Sequence, residues 1–179
     1  DLKKGAGKLV APDTVLAGDE KIQAKTIIIA TGSRPLEIPN FKFDGSAVIS
    51  SDDALRLTEV PKRLLIIGGG VIGCEFACVF QTLGTEVIIV EMLEQIIPTE
   101  DREVAKRLEG VFKKKGIKIL TKTKVEKVEK ESNQVKASLS NGETLAVDKV
   151  LVSVGRALNS SDLGLEELGA KIERGRVIV

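Results

Sequence analysis

Six consecutive residues, Gly68-Gly69-Gly70-Val71-Ile72-Gly73, satisfy the pattern G-x-G-x-x-G between an apolar run and a stretch that reads as a helix. Glu91 closes the next apolar run, 21 residues after Gly70. Glycine-rich turns are common, so the pattern gains weight only from this strand–turn–helix context and from the acid that follows. Each part has a mechanical use. Gly68 permits the tight turn out of a strand, Gly70 lets a pyrophosphate approach the backbone, and Gly73 lets the helix pack closely. The helix N-terminus supplies unpaired N–H groups and partial positive charge to phosphates. A carboxylate at Glu91 accepts hydrogen bonds from the adenosine ribose hydroxyls and repels the 2′-phosphate of NADP. Met92, Leu93 and Glu94 supply no arginine to welcome that phosphate, so NAD is the expected coenzyme. The plainer alternative is a tight turn followed by a solvated acid.

Other reactive residues are sparse. Glu75 falls near the start of the helix, where the helix dipole favours a carboxylate whatever the function. A functional Glu75 must point past the pyrophosphate toward the nicotinamide end, because a carboxylate aimed at phosphates would weaken binding. Cys74 and Cys78 lie one helical turn apart, where a disulfide is geometrically difficult, so they read as packing residues. The sequence has no histidine, which excludes a histidine base, triad or metal cluster within these residues, and no catalytic or metal-ligating residue is assigned. Lys and Arg total 27 against 26 Asp and Glu, so charge gives no case for nucleic acid or an anionic membrane. No apolar run reaches the ~18–20 residues of a membrane span. Two cysteines fit a reducing cytosol, so the expected location is cytoplasmic.

The elements that must hold the glycine loop follow from periodicity. Residues 63–67, 86–91, 117–120 and 149–156 read as buried strands. Residues 70–83 read as a helix ended by Gly84. A second helix is expected after Thr99 as N-cap, with Val104, Leu108, Val111 and Phe112 on one stripe, ended by residues 113–116. Strand-like runs near 124–130, 134–140 and 143–147, with Asn141-Gly142 as a hairpin turn, form an antiparallel meander. Upstream, "AGDE" at 17–20 reads as a hairpin turn, "TIIIATG" from residue 26 as a buried strand, and 33–61 as a connector with one short helix near 53–57. This order predicts an α/β fold, a parallel sheet with helices plus a three-stranded antiparallel meander.

The segments "TIIIATGSRP", "LLIIGGGVIGCE", "VIIVEM", "TKTKV", "VLVSVGR" and "LGLEELG" resemble, in order and spacing, those of the pyridine nucleotide–disulfide oxidoreductases. The resemblance extends over essentially all 179 residues. It implies a Rossmann-like FAD/NAD(P)-binding fold, with residues 1–39 a remnant of an FAD-binding domain, 40–157 an NAD-binding domain, and 158–179 the return to the FAD-binding domain. It assigns residues 68–73 to the NAD pyrophosphate, Glu75 to the nicotinamide and Glu91 to the ribose. It also puts Val125 near the adenine and Gly155 on the nicotinamide side, and places Gly7, Thr31, Gly32 and Ser33 against FAD. The activity implied is transfer of electrons from dihydrolipoamide through a redox disulfide and FAD to NAD+. The partners implied for the complete enzyme are the lipoyl proteins of 2-oxoacid dehydrogenase or glycine cleavage complexes and a second copy in a homodimer.

Departures from the family pattern limit that reading. The sequence contains no Cys-x4-Cys pair, no second G-x-G-x-x-G, no later Gly-Asp flavin motif and no His-Glu base pair, and Leu158 stands where a proline is usual. These residues by themselves are therefore expected to bind NAD(H) without turnover. Another flavoprotein disulfide reductase or NADH oxidase of the same family, or a stand-alone nucleotide-binding module, remains an alternative. Residues 26–30 and 176–179 are expected to expose unpaired edges and to mediate self-association.

Overall fold

A computed structural model describes residues 1–132 and 134–179, and the chain forms two units, Pro35–Gly155 and a second built from Asp1–Arg34 with Arg156–Val179. In the second unit β1 (Gly7–Ala11), β2 (Thr14–Ala17) and β3 (Glu20–Gln23) form an antiparallel sheet, with the expected turn at Gly18 and Asp19. The strand expected at residues 26–30 does not form, and Ile28 is 84% exposed. A continuous apolar run becomes a strand only where neighbours complete its ladder, and no described strand pairs with this one. Strand β4 (Ser33–Pro35) then leads into the first unit.

The connector of the first unit is short of regular structure but not of hydrogen bonds. Asp44 accepts from the Ser46 and Ala47 N–H groups, both at 2.7 Å, and pairs with Lys130. Strand β5 (Val48–Ile49) and helix α1 (Ser51–Ala54) follow. The helix starts earlier than its sequence suggests because Ser50 and Asp53 make a capping box. Burial alone would raise the Asp44 pKa, but the Lys130 ammonium, the Ser46 and Ala47 N–H groups and the Ser46 hydroxyl outweigh it and hold it below the usual carboxylate range. A depressed folded pKa stabilises fully above the unfolded value, ~3.9, and that stability is lost as pH falls toward the folded one. Asp44→Asn is therefore expected to lower the urea midpoint near neutral pH, the gap to the unchanged protein narrowing below about pH 4. Equal midpoints near neutrality would show that this carboxylate contributes nothing.

The next elements are β6 (Arg63–Ile67), α2 (Val71–Thr82), β7 (Glu86–Val90), α3 (Arg102–Lys114) and β8 (Lys118–Leu120). The meander β9 (Val125–Lys130), β10 (Val135–Leu139) and β11 (Thr144–Val147) leads to β12 (Lys149–Val152). A parallel five-stranded sheet has the order β5-β12-β6-β7-β8, and β9 to β11 form a separate antiparallel sheet. Helix α3 is capped by Asp101, whose carboxylate accepts from the Glu103 N–H at 2.8 Å, and not by Thr99. Both longer helices end as expected, with Thr85 and Ile117 N–H groups bonded back to the Phe80 and Phe112 carbonyls.

Alternation within the parallel strands explains why they read as unbroken apolar runs. Leu64, Ile66, Val87, Ile89 and Leu151 face one core, against Cys74, Ala77 and Phe80 of α2 and Ala105 and Phe112 of α3. Leu65, Ile67, Ile88, Val90, Val150 and Val152 face the other, against Val135, Ala137, Leu139 and Val147 of the meander. Both faces are covered, so no polar alternation survives. The carboxyl ends of β6, β7 and β12 therefore lie side by side. In the second unit, β13 (Arg156–Leu158) pairs with β4, and β14 (Ile172–Glu173) with β15 (Arg176–Val177).

Candidate functional site

Gly68, at φ +102°, turns the chain out of β6 against the end of β12, where a Cβ would stand 2.5 Å from the Ser153 carbonyl oxygen. Gly69 is equally constrained, since a Cβ there would meet Ile96 Cγ2 at 2.8 Å. At Gly73 a Cβ would overlap the Gly68 carbonyl oxygen and lie 2.8 Å from Ser153 Oγ. Three of the glycines are thus demanded by the protein's own packing. Gly70 differs, because nothing lies within 4 Å of its Cβ position. Packing does not require a glycine there, and the open space is what a ligand approaching the backbone needs.

Helix α2 begins at this open position. Its N-cap is Gly70 and no side chain caps it, whereas Ser50 and Asp101 cap α1 and α3. The first-turn N–H groups of α2, including those of Val71 and Ile72, are left without a capping side chain beside the opening over Gly70. Unfilled N–H groups and a helix dipole at one point favour negative charge there.

Glu91 follows β7 directly and is only 6% exposed. Its Oε2 accepts from the Gly69 N–H at 2.7 Å and its Oε1 from the Leu93 N–H at 2.8 Å. The expected partner of a ribose is thus also a tie between the glycine loop and the segment after β7. That segment folds back over the loop, with the Ile97 N–H bonded to the Gly69 carbonyl at 2.6 Å and Ile96 fully buried. Sequence reading missed the roles of Ile96, Ile97 and Ser153. An isoleucine pair in a connector is a faint signal, and a lone serine after a strand is none.

The remaining predicted residues are distributed differently. Glu75 is exposed on α2, and Val125 opens β9 with its side chain in the second core, 9% exposed. Gly155, at φ +132°, follows β12 and accepts from the Leu36 N–H at 3.0 Å. In the second unit, Gly7 opens β1, while Thr31, Gly32 and Ser33 border a cavity of about 170 Å³ or adjoin it. Asn159 donates to the Thr31 and Gly32 carbonyls, and Arg156 donates to the Ser33 hydroxyl and carbonyl.

Cys74 is buried and its thiol is a weak acid: burial, then the neighbouring Cys78, push its pKa up to about 12. A thiol that holds its proton is a poor nucleophile. Iodoacetamide at pH 8 is expected to leave Cys74 unmodified in the native protein, which peptide mass spectrometry would read directly; prompt alkylation would contradict its packing role.

A family model described as pyridine nucleotide-disulphide oxidoreductase matches residues 1–179. The chain is 43% identical to a dihydrolipoamide dehydrogenase of Chaetomium thermophilum over 98% of its length and 37% of that protein. It is 41% identical to a dihydrolipoyl dehydrogenase of Chlamydia pneumoniae, covering 98% of this chain and 39% of the relative. Among solved structures it superposes on the HOCl-induced flavoprotein disulfide reductase RclA of Escherichia coli with a TM-score of 0.85 and 30% identity, covering 98% of this chain and 41% of that one. The chain therefore spans under two-fifths of the length of these curated relatives.

Proposed function

Because the chain belongs to the pyridine nucleotide-disulphide oxidoreductase family, which uses FAD and NAD, we propose that it forms the NAD(H)-holding portion of a flavoprotein dihydrolipoamide dehydrogenase. The observation that carries this is the uncapped start of α2 at Gly70, open to solvent and flanked by Glu91. The α2 N–H groups bind the pyrophosphate, and the bare backbone at Gly70 lets it come close. Glu91 uses two acceptor sites on Gly69 and Leu93, and a carboxylate has about four, so capacity remains for ribose hydroxyls. The same charge repels a 2′-phosphate. Glu75, Val125 and Gly155 keep the nicotinamide-side and adenine-side roles assigned by resemblance.

NAD+, when bound, supplies the hydride acceptor; these residues contribute its orientation and electrostatics. For FAD the fit is weaker. The carbonyls of Thr31, Gly32 and Ser33 are already bonded to Asn159 or Arg156, so fewer acceptors remain there for FAD. In the longer protein this reading brings lipoyl proteins of 2-oxoacid dehydrogenase or glycine cleavage complexes as partners, and a homodimer. By themselves residues 1–179 are proposed to bind NAD(H) without turnover, since their only thiols sit together on α2. Calorimetric titration tests the site. NADH is expected to bind at least about tenfold more tightly than NADPH, a difference of about 1.4 kcal/mol. Absence of binding by either coenzyme would overturn the reading.

A further inference from the structure

We propose that Ser153 is a positioning residue, its hydroxyl setting the shape of the pyrophosphate loop from the end of β12; this rests on the reading of residues 68–73 as a dinucleotide site. Ser153 lies one residue beyond β12, and its N–H continues the ladder to the Ile67 carbonyl at 2.8 Å. Its Oγ is 3.0 Å from the Gly68 carbonyl oxygen and 3.2 Å from that of Ile67. One hydroxyl proton serves one strong bond, and the shorter contact assigns it to Gly68. The same Oγ is 2.8 Å from the Cβ position of Gly73, and the Ser153 carbonyl oxygen is 2.5 Å from that of Gly68. One residue thus presses on the first and last glycines of the loop while holding the carbonyl of the first.

That arrangement controls which way the loop's peptides face. The Gly68 carbonyl accepts from Ser153, so the peptide joining Gly68 to Gly69 is held in one orientation. The N–H of that peptide is the donor to Glu91 at 2.7 Å. A single peptide unit is therefore gripped at its carbonyl by Ser153 and at its N–H by Glu91. With that peptide pinned, the backbone beyond it enters α2 with its N–H groups already gathered at Gly70. Without the hydroxyl the loop samples other orientations, and phosphate binding must bear the ordering cost.

Ser153→Ala removes only the oxygen and its bond. It is expected to raise the Kd for NADH and for ADP-ribose by a similar factor, about fivefold, which corresponds to about 1 kcal/mol for one hydrogen bond. ADP-ribose carries the pyrophosphate without the nicotinamide, so a parallel loss places the effect on the loop. Hydrogen exchange in the free protein is expected to quicken across residues 68–73 and to stay unchanged in β6 and β12. Equal affinities for Ser153→Ala and the unchanged protein would overturn the role of Ser153 alone. A loss confined to NADH would also overturn it, by placing the effect on the nicotinamide side. Failure of the unchanged protein to bind either ligand would overturn the dinucleotide reading, and this proposal with it.

Discussion

Adding one methyl group at Gly73 is expected to abolish NADH binding and to destabilise the protein. The new Cβ would overlap the Gly68 carbonyl oxygen and crowd Ser153 Oγ at 2.8 Å. Gly68 is held by its own N–H bond to the Val90 carbonyl and by Ser153, so the backbone has little room to yield. Overpacking of this kind costs about 1–3 kcal/mol, and relief requires moving the first turn of α2 away from the loop. Moving that turn disperses the N–H groups that would bind phosphate. Gly70→Ala supplies the contrast. Nothing in the protein opposes a Cβ at Gly70, and its φ of −69° suits any residue. The free protein is expected to melt at an unchanged temperature while its affinity for NADH falls. Thermal denaturation beside calorimetry separates the two variants. If Gly70→Ala binds NADH as the unchanged protein does, the pyrophosphate does not lie over Gly70.

Glu91→Arg, the obvious exchange for converting coenzyme preference, is expected to weaken NADH and NADPH binding together and not to reverse the preference. The carboxylate accepts two backbone N–H groups inside the protein, and arginine accepts none. Hydrogen bonds to a charged group contribute about 1.5–3 kcal/mol each. Losing both removes a large part of the ~5–15 kcal/mol that holds a typical domain folded. It also frees Gly69 from Leu93, leaving the Ile97 N–H bond and the packing of Ile96 to hold the covering segment on the loop. Glu91→Gln keeps one acceptor and presents an amide donor to the other N–H, and its loss is expected to be smaller. Denaturation midpoints and both coenzyme affinities, measured on the two variants, decide the matter. A stable Glu91→Arg protein with NADPH preferred would show that the acid's ties to the loop are dispensable.

The course of the parallel sheet was legible because burial on both faces leaves a local trace. Runs such as residues 64–67 and 87–90 are apolar at every position, and a strand with two covered faces needs that. The helix ends at Gly84 and Gly116 and the meander turn at Asn141-Gly142 were equally local. Reading failed where the deciding partner is not local. Residues 26–30 have the composition of a buried strand, yet a ladder needs neighbours, and Ile28 stands exposed without them. Thr99 and Asp101 are both competent caps by type. Choosing between them depends on where the chain leaves the loop over Gly69, with Ile96 and Ile97 packed behind it.

By itself, the sequence determined that a glycine-rich turn joins a strand to a helix and that an acid ends the next strand. Spacing along one chain suffices for that, because turn and helix start are local conformations. Only the tertiary structure decided what each residue is for. It showed that Gly68, Gly69 and Gly73 answer to Ser153, Ile96 and the loop's own carbonyl, that Gly70 alone faces open space, and that Glu91 ties the loop together from inside. The reason is steric and electrostatic: a missing Cβ or a buried carboxylate acquires its meaning from atoms that folding brings against it, several of them tens of residues away, which no local pattern contains.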